Sequence, residues 1–214
     1  MKSLLSHRGN YDIFAVGVVE NWLSVNWVEI IAALVSITYV ILTIREIIWL
    51  WLFGFLSAIL YAWVYAHSGF YAGMALQGYY AVISIYGWMH WSRASAAQSS
   101  EKTLPVVRAT RRQLFVLISL WLLLWMAIGI FLKEFTDSTI PFPDALTASG
   151  GIVATWMLAR KILEQWLFWI FIDSVSIVLY LWQGLYATTA LFAVYIIMAV
   201  IGYRQWKKTW KASL

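Results

Sequence analysis

With 214 residues, 63% of them hydrophobic and only 12% charged, the chain carries more apolar side chain than a soluble core of its size could hide. It reads as an integral membrane protein. The absence of cysteine excludes disulfides and thiolate chemistry, and three scattered histidines (His7, His67, His90) suggest no metal or cofactor.

In chain order, residues 1–25 lack the apolar core of a signal peptide, so an extracytoplasmic N-terminal segment is expected ahead of self-inserting spans. A short apolar segment, 30–44, lies between Glu29 and Arg45 and is followed by two uncharged spans, 47–66 and 71–89. Residues 93–113, with Gln98-Ser99-Ser100 and a lone Pro105, read as a polar linker. A span at 114–132 follows, then a second short segment at 145–159 between Asp144 and Arg160. Residues 166–183 form a span with one carboxylate, Asp173, and 185–203 form the last before a basic tail at 207–214. Seven spans result, and the two short ones require snorkelling flanks or a thinner membrane.

Assigning the loops alternately to two sides puts twelve of the fifteen Lys and Arg on one of them: Arg45, Arg93, Lys102, Arg108, Arg111, Arg112, Arg160, Lys161, Arg204, Lys207, Lys208 and Lys211. Lys2, Arg8 and Lys133 fall on the other. The positive-inside rule then predicts the N-terminus outside and the C-terminus in the cytoplasm. The net charge of +5 reflects this topology and anionic membrane lipid rather than a nucleic-acid partner.

A shift of 115 residues aligns Arg45, Trp51-Leu52-Phe53, Tyr80, Gly87 and Trp91 with Arg160, Trp166-Leu167-Phe168, Tyr195, Gly202 and Trp206, within 16 identities over 64 positions. This predicts an all-α bundle of two parallel three-helix repeats, 26–92 and 133–206, joined by the transmembrane helix at 114–132, a 3+1+3 arrangement of the kind found in transporters. A purely structural duplication is the weaker alternative.

Helical spacing of 3 and 4 places Trp166, Trp169, Asp173, Ser176, Tyr180 and Gln183 on one stripe of the sixth helix. Gln77, Tyr80, Ser84, Trp88 and Trp91 form a comparable stripe on the third, echoed by Tyr195 and Trp206 on the seventh. Polar faces in lipid are costly, so these stripes are expected to turn inward. Candidate ligand contacts are Asp173, Trp169, Ser176, Tyr180, Trp182, Gln183, Gln77, Tyr80, Ser84 and Tyr195. For Gln77, Ser84 and Ser176, helix–helix hydrogen bonding is an equal reading. Trp49, Trp51, Trp88, Trp91, Trp206 and Trp210 suit an interfacial aromatic belt. Gly54, Gly73, Gly78, Gly150 and Gly151 suit close helix approach.

Asp173 lies eight residues past Gln165, about 12 Å into the span at 1.5 Å per residue. An ionised carboxylate there costs several kcal/mol unless paired or hydrated, and no span contains Lys or Arg. Its partner must be a hydroxyl, a proton, an ion or a cationic solute.

Glu164–Ile177 and Leu181–Ala187, together with Tyr71–Trp91, resemble the bacterial nicotinamide riboside transporters of the PnuC family over roughly residues 26–208. The W-x-x-W pair (Trp166, Trp169) and the Gln77–Trp88 segment carry the likeness. Asp173 departs from it, because members often have Asn there. The resemblance implies a fold shared with full-length SWEET sugar transporters, a homotrimer in the bacterial inner membrane, and facilitated diffusion of nicotinamide riboside sustained by phosphorylation inside the cell. A flat cationic ring suits aromatic faces, and a ribose suits Gln, Ser and Tyr. A phosphate finds no cation on any inward stripe, so the riboside should be preferred over its mononucleotide.

A SWEET-like carrier of sugar or another small polar solute is the main alternative. A retinal protein needs a lysine within a span, a receptor would seldom carry such a repeat, and a membrane enzyme needs clustered acids or histidines. No Walker motif is present, so the chain does not power transport by itself.

Overall fold

The computed structural model describes residues 31, 34–67, 71–97 and 104–213. The N-terminal segment, Glu29 and part of the linker, Gln98 to Lys102 included, lie outside them. Seven helices are described: α1 (Leu34–Ile44), α2 (Leu50–His67), α3 (Tyr71–Ala97), α4 (Arg111–Phe135), α5 (Pro141–Ala159), α6 (Gln165–Trp182) and α7 (Tyr186–Ala212). By length and apolarity α4, α6 and most of α7 suffice to cross a membrane.

Helix boundaries follow local chemistry. Thr110 caps α4 in a capping box: its hydroxyl accepts from the Gln113 N–H at 3.2 Å, while the Gln113 side chain accepts from the Thr110 N–H at 2.9 Å. Pro141 opens α5 within its first turn, where its missing N–H costs nothing. This helix begins four residues before the apolar segment at 145–159, because Pro141-Phe142-Pro143 is compatible with a helix start though not with a helix interior.

The helices pack α2 against α3, α6 against α7, and α4 against α5; α5 also contacts α6 and α3, so it sits centrally. Two indole N–H groups fasten α4 to α5: Trp121 donates to the Leu146 carbonyl at 3.1 Å and Trp125 to that of Phe142 at 2.9 Å. The opposite face of α4 presents Phe115, Leu123 and Phe131 outward, as a helix bordering lipid should.

At the end of the bundle that holds Arg45, Arg108 and Arg160, here termed the basic end, α1 and α5 stop in the same way. Glu46 donates its N–H to the Thr43 carbonyl (3.1 Å) and Ile47 to that of Leu42 (3.0 Å); Lys161 donates to Leu158 (2.9 Å) and Ile162 to Met157 (2.9 Å). Both are Schellman closures, and Glu46 and Lys161 take the left-handed position with φ of 57° and 51°. These two side chains meet: Lys161 Nζ lies 2.8 Å from Glu46 Oε2. Lys161 has no exposed surface, and burial pushes its pKa down, opposed by the Glu46 carboxylate.

Beside this pair, Trp51 and Trp91 meet edge to face at 5.6 Å, as do Trp166 and Trp206 at 5.6 Å. In each case a glycine makes the room, because a Cβ on Gly87 would collide with the Trp51 ring and one on Gly202 with that of Trp166. Trp91 donates to the Ala159 carbonyl (3.1 Å) and Trp206 to that of Thr43 (3.0 Å), linking α3 to the end of α5 and α7 to the end of α1.

Three tryptophans expected in an interfacial belt are therefore core residues, with 1%, 3% and 0% exposure at Trp51, Trp91 and Trp206. The glycine slots and carbonyl acceptors lie on other helices, which explains the difference. Trp49 does remain exposed, edge to face with Trp88 at 5.4 Å, and Trp210 lies under the Arg108 guanidinium at 5.3 Å. Gly78 faces open space rather than a helix contact, and the side-chain surroundings of Gly73 fall outside the description.

The end of the linker is pinned to the loop between α5 and α6. The Val107 N–H donates to the Lys161 carbonyl at 3.0 Å, and Leu163 returns a bond to Val107 at 2.9 Å. The Glu164 carboxylate accepts from Arg108 Nε at 2.9 Å and from the Ala109 N–H at 2.9 Å. That contact holds the pKa of Arg108 above its ordinary value.

Candidate functional site

Between α1, α2 and α3, with α5 and α6 closing one side, lies a cavity of about 230 Å³. That is just below the roughly 300–1,000 Å³ usual for small-molecule sites. Ser36 and Tyr39 come from α1, Gly54, Ser57 and Tyr61 from α2, Gln77, Tyr80 and Ser84 from α3, Thr155 from α5 and Trp169 from α6.

Two glycines set its walls. A Cβ on Gly54 would stand 3.0 Å from the Tyr39 ring and 3.1 Å from Ser84 Oγ, so this position keeps α1, α2 and α3 close. A Cβ on Gly151 would stand 2.6 Å from Tyr80 Oη, so its absence admits the phenol against α5. The neighbouring Tyr79 hydroxyl donates to the Ile152 carbonyl at 2.7 Å and fixes α3 to α5.

The polar lining offers acceptors and an amide. Ser84 donates to the Tyr80 carbonyl at 2.7 Å and Thr155 to that of Gly151 at 2.8 Å, which uses their protons within the helix and leaves oxygen lone pairs free. Gln77 and Ser57 have no hydrogen-bond partner among the described residues. No lining residue is charged, and among the described residues no three His, Asp or Glu gather where a metal could sit.

Of the sequence-derived candidates, Gln77, Tyr80, Ser84 and Trp169 thus share one cavity. Asp173 and Ser176, both 4% exposed, are buried on α6 outside its lining, with Asp173 one turn beyond Trp169. Asp173 lies close enough to Tyr195 to act on it electrostatically, and Tyr195 hydrogen-bonds with Ser36, itself a lining residue. Tyr180 instead packs on Phe192 with ring centres 5.1 Å apart. Trp182 and Gln183 are exposed where α6 ends and do not line this cavity.

Ser36, Tyr39, Ser57, Tyr61 and Thr155 are lining residues that the stripes of α3 and α6 do not reveal. A signal was present on α2, where Gly54, Ser57, Ala58 and Tyr61 follow helical spacing within an otherwise apolar run. For Thr155, alone on an apolar stretch of α5, no such signal existed.

A helical membrane bundle with a polar and aromatic cavity in its interior is an architecture suited to a carrier of small solutes. The chain belongs to the nicotinamide mononucleotide transporter family, whose model matches residues 26–208. It is similar to the nicotinamide riboside transporter PnuC of Escherichia coli, with 25% identity over 203 residues covering 85% of each chain. The riboflavin/roseoflavin transporter RibM of Streptomyces davaonensis is 26% identical over 182 residues, 84% of each chain. Among solved structures, that of the vitamin B3 transporter PnuC superposes with a TM-score of 0.73 at 23% identity, over 92% of this chain and 87% of the other.

Proposed function

We propose that the chain takes up nicotinamide riboside by facilitated diffusion across the bacterial inner membrane. The observation that carries this reading is the cavity, which sets one indole and three phenols (Trp169, Tyr39, Tyr61, Tyr80) around uncharged hydrogen-bonding groups. A flat cationic ring is attracted to aromatic faces, and ribose hydroxyls match the Gln77 amide and the Ser57, Ser84 and Thr155 oxygens. Asp173 is buried one turn beyond Trp169, and a positive ring in the cavity would offset part of the cost of a carboxylate there. Relatives named for nicotinamide riboside support the substrate.

The helices are read as a 3+1+3 bundle, residues 26–92 and 133–206 around α4, and the like-spaced Trp–Gly–Trp interlocks of α2/α3 and α6/α7 support this. The C-terminus and linker 93–113 are assigned to the cytoplasm on the twelve-to-three division of basic residues, with residues 1–25 outside. A reporter fused after Leu214 should be cytoplasmic and a label at Asp137 reachable from outside. Both on one side would remove this topology. The homotrimer implied by the resemblance is part of the proposal, and the apolar outer face of α4 could serve it or border lipid.

The family's description names the mononucleotide, yet no cationic side chain lines the cavity to receive a phosphate. Calorimetric titration with nicotinamide riboside, its mononucleotide, glucose and riboflavin tests the reading. Strong binding of the riboside and weak binding of the mononucleotide are expected, since a dianion would be desolvated without compensation. Preference for glucose or riboflavin would transfer the chain to another substrate class within the same fold.

A further inference from the structure

The two helix ends at the basic end are built against local preference. A left-handed residue after a Schellman closure is usually glycine, because any Cβ there is strained. Here both positions carry long charged side chains, Glu46 and Lys161, 115 residues apart in sequence and bonded at 2.8 Å. Glycine would make either turn easier to form, so turn formation does not explain these residues; their meeting does.

Around the pair lies a dry plug with unmet polar groups. Lys161 Nζ sits 4.5 Å over the Trp91 ring, which shares one buried cluster with Leu50, Trp51, Trp166 and Trp206, and Gln165, next to Trp166 in the chain, is buried too. Trp51 Nε1, Trp166 Nε1 and both amide atoms of Gln165 lack hydrogen-bond partners and have no access to water. Unpartnered buried polar groups are costly, so this arrangement is unfavourable by itself and needs the ion pair to hold it. In a second arrangement with the basic end open, water would reach the indole N–H groups and the amide and offset the lost pair. Two states of comparable free energy are what alternating access requires.

We propose that Glu46 and Lys161 form the latch of a gate at the basic end, and that their separation opens a path lined by Trp51, Trp166 and Gln165. The latch joins the end of α1 to the end of α5, while Trp91 to Ala159 and Trp206 to Thr43 cross between the same two groups of helices. The ion pair is the charged one of these crossings, and its loss leaves two neutral hydrogen bonds to yield at this end as the two groups rock apart. This rests on the transport reading only in requiring that the bundle open.

The chain has no cysteine, so Leu50→Cys, at a position without exposed surface, supplies a single reporter. Its rate of reaction with a maleimide is measured on the full-length protein in detergent, with no solute present. In this background Glu46→Gln and Lys161→Met should each raise the rate by roughly tenfold or more, as expected when a minor open state becomes populated. The charge-exchanged pair, Glu46→Lys with Lys161→Glu, should react more slowly than either single variant. Should a single variant fail to fold, the doubly neutral Glu46→Gln, Lys161→Met protein leaves no buried charge unpaired and should show the same acceleration. Unchanged rates in the neutral variants would overturn the latch, as would an exchanged pair that reacts as fast as the single variants. Loss of riboside binding in the parent protein would instead count against the proposed substrate and leave the labelling result to stand.

Discussion

Near the basic end, residues 34–97 and residues 141–212 repeat the same Trp–Gly–Trp interlock, whereas in the membrane interior the same helices differ at nearly every position that touches the cavity. The Trp51–Gly87–Trp91 interlock has its counterpart 115 residues on in Trp166–Gly202–Trp206, with the same 5.6 Å ring separation. Deeper in, the same offset sets Gly54 against Trp169, Ala58 against Asp173, Gln77 against Phe192 and Ser84 against Ala199. The lesson is a division of labour. Interlocks that hold paired helices together admit few substitutions, because each needs a missing Cβ opposite a large ring. Cavity walls need only present the right group to a solute, so the first half supplies the amide and most of the hydroxyls while the second supplies an indole and the Thr155 hydroxyl, with Asp173 buried one turn beyond that indole.

That contrast is most severely tested by filling the slots. Gly202→Val and Gly87→Val place atoms where Trp166 and Trp51 now lie, and each should destabilise the protein by about 1–3 kcal/mol or more. Gly78→Ala, which meets nothing within 4 Å, should be neutral or slightly stabilising, as expected for glycine inside a helix. Thermal unfolding in one detergent compares all three. Equal melting temperatures would mean that the matched interlocks do not hold the helices together.

Asp173 tests the interior half of the contrast. Asp173→Leu removes a buried polar group and should weaken riboside binding by about 1–3 kcal/mol, while Asp173→Asn should retain most of the affinity. Wild-type binding by the Leu variant would separate Asp173 from the site. If Asn were as damaging as Leu, a charge would be required rather than a hydrogen bond.

Trp169→Ala should cost about 0.5–2 kcal/mol of riboside affinity, the range for a cation over an indole face, with a smaller loss for an uncharged nucleoside of similar size. The difference between the two solutes is the informative quantity, since equal losses would indicate packing alone. Ser57→Ala is expected to have the smallest effect, about 0.5–1.5 kcal/mol on binding and little on melting temperature, because no other described side chain depends on its hydroxyl. A large fall in melting temperature would make Ser57 a packing residue of α2.

The sequence by itself determined whatever is local or additive. Membrane residence follows from composition, the approximate place of each span from apolar length, and the stripe containing Gln77, Tyr80 and Ser84 from helical periodicity. Periodicity assigns a residue to a face without saying what that face meets or how deep it lies. For that reason Gln183 shares a stripe with Trp169 and yet is exposed, while Trp51, Trp91 and Trp206, which suit an interfacial belt by residue type, are core. Only the tertiary structure decided that Ser36, Ser57, Tyr61 and Thr155 share a cavity with Gln77 and Trp169, because those side chains come from five helices. The pairing of Glu46 with Lys161 was likewise invisible: aligned 115 residues apart they count as a mismatch, and their opposite charges become complementary only when the ends of α1 and α5 are brought within 2.8 Å.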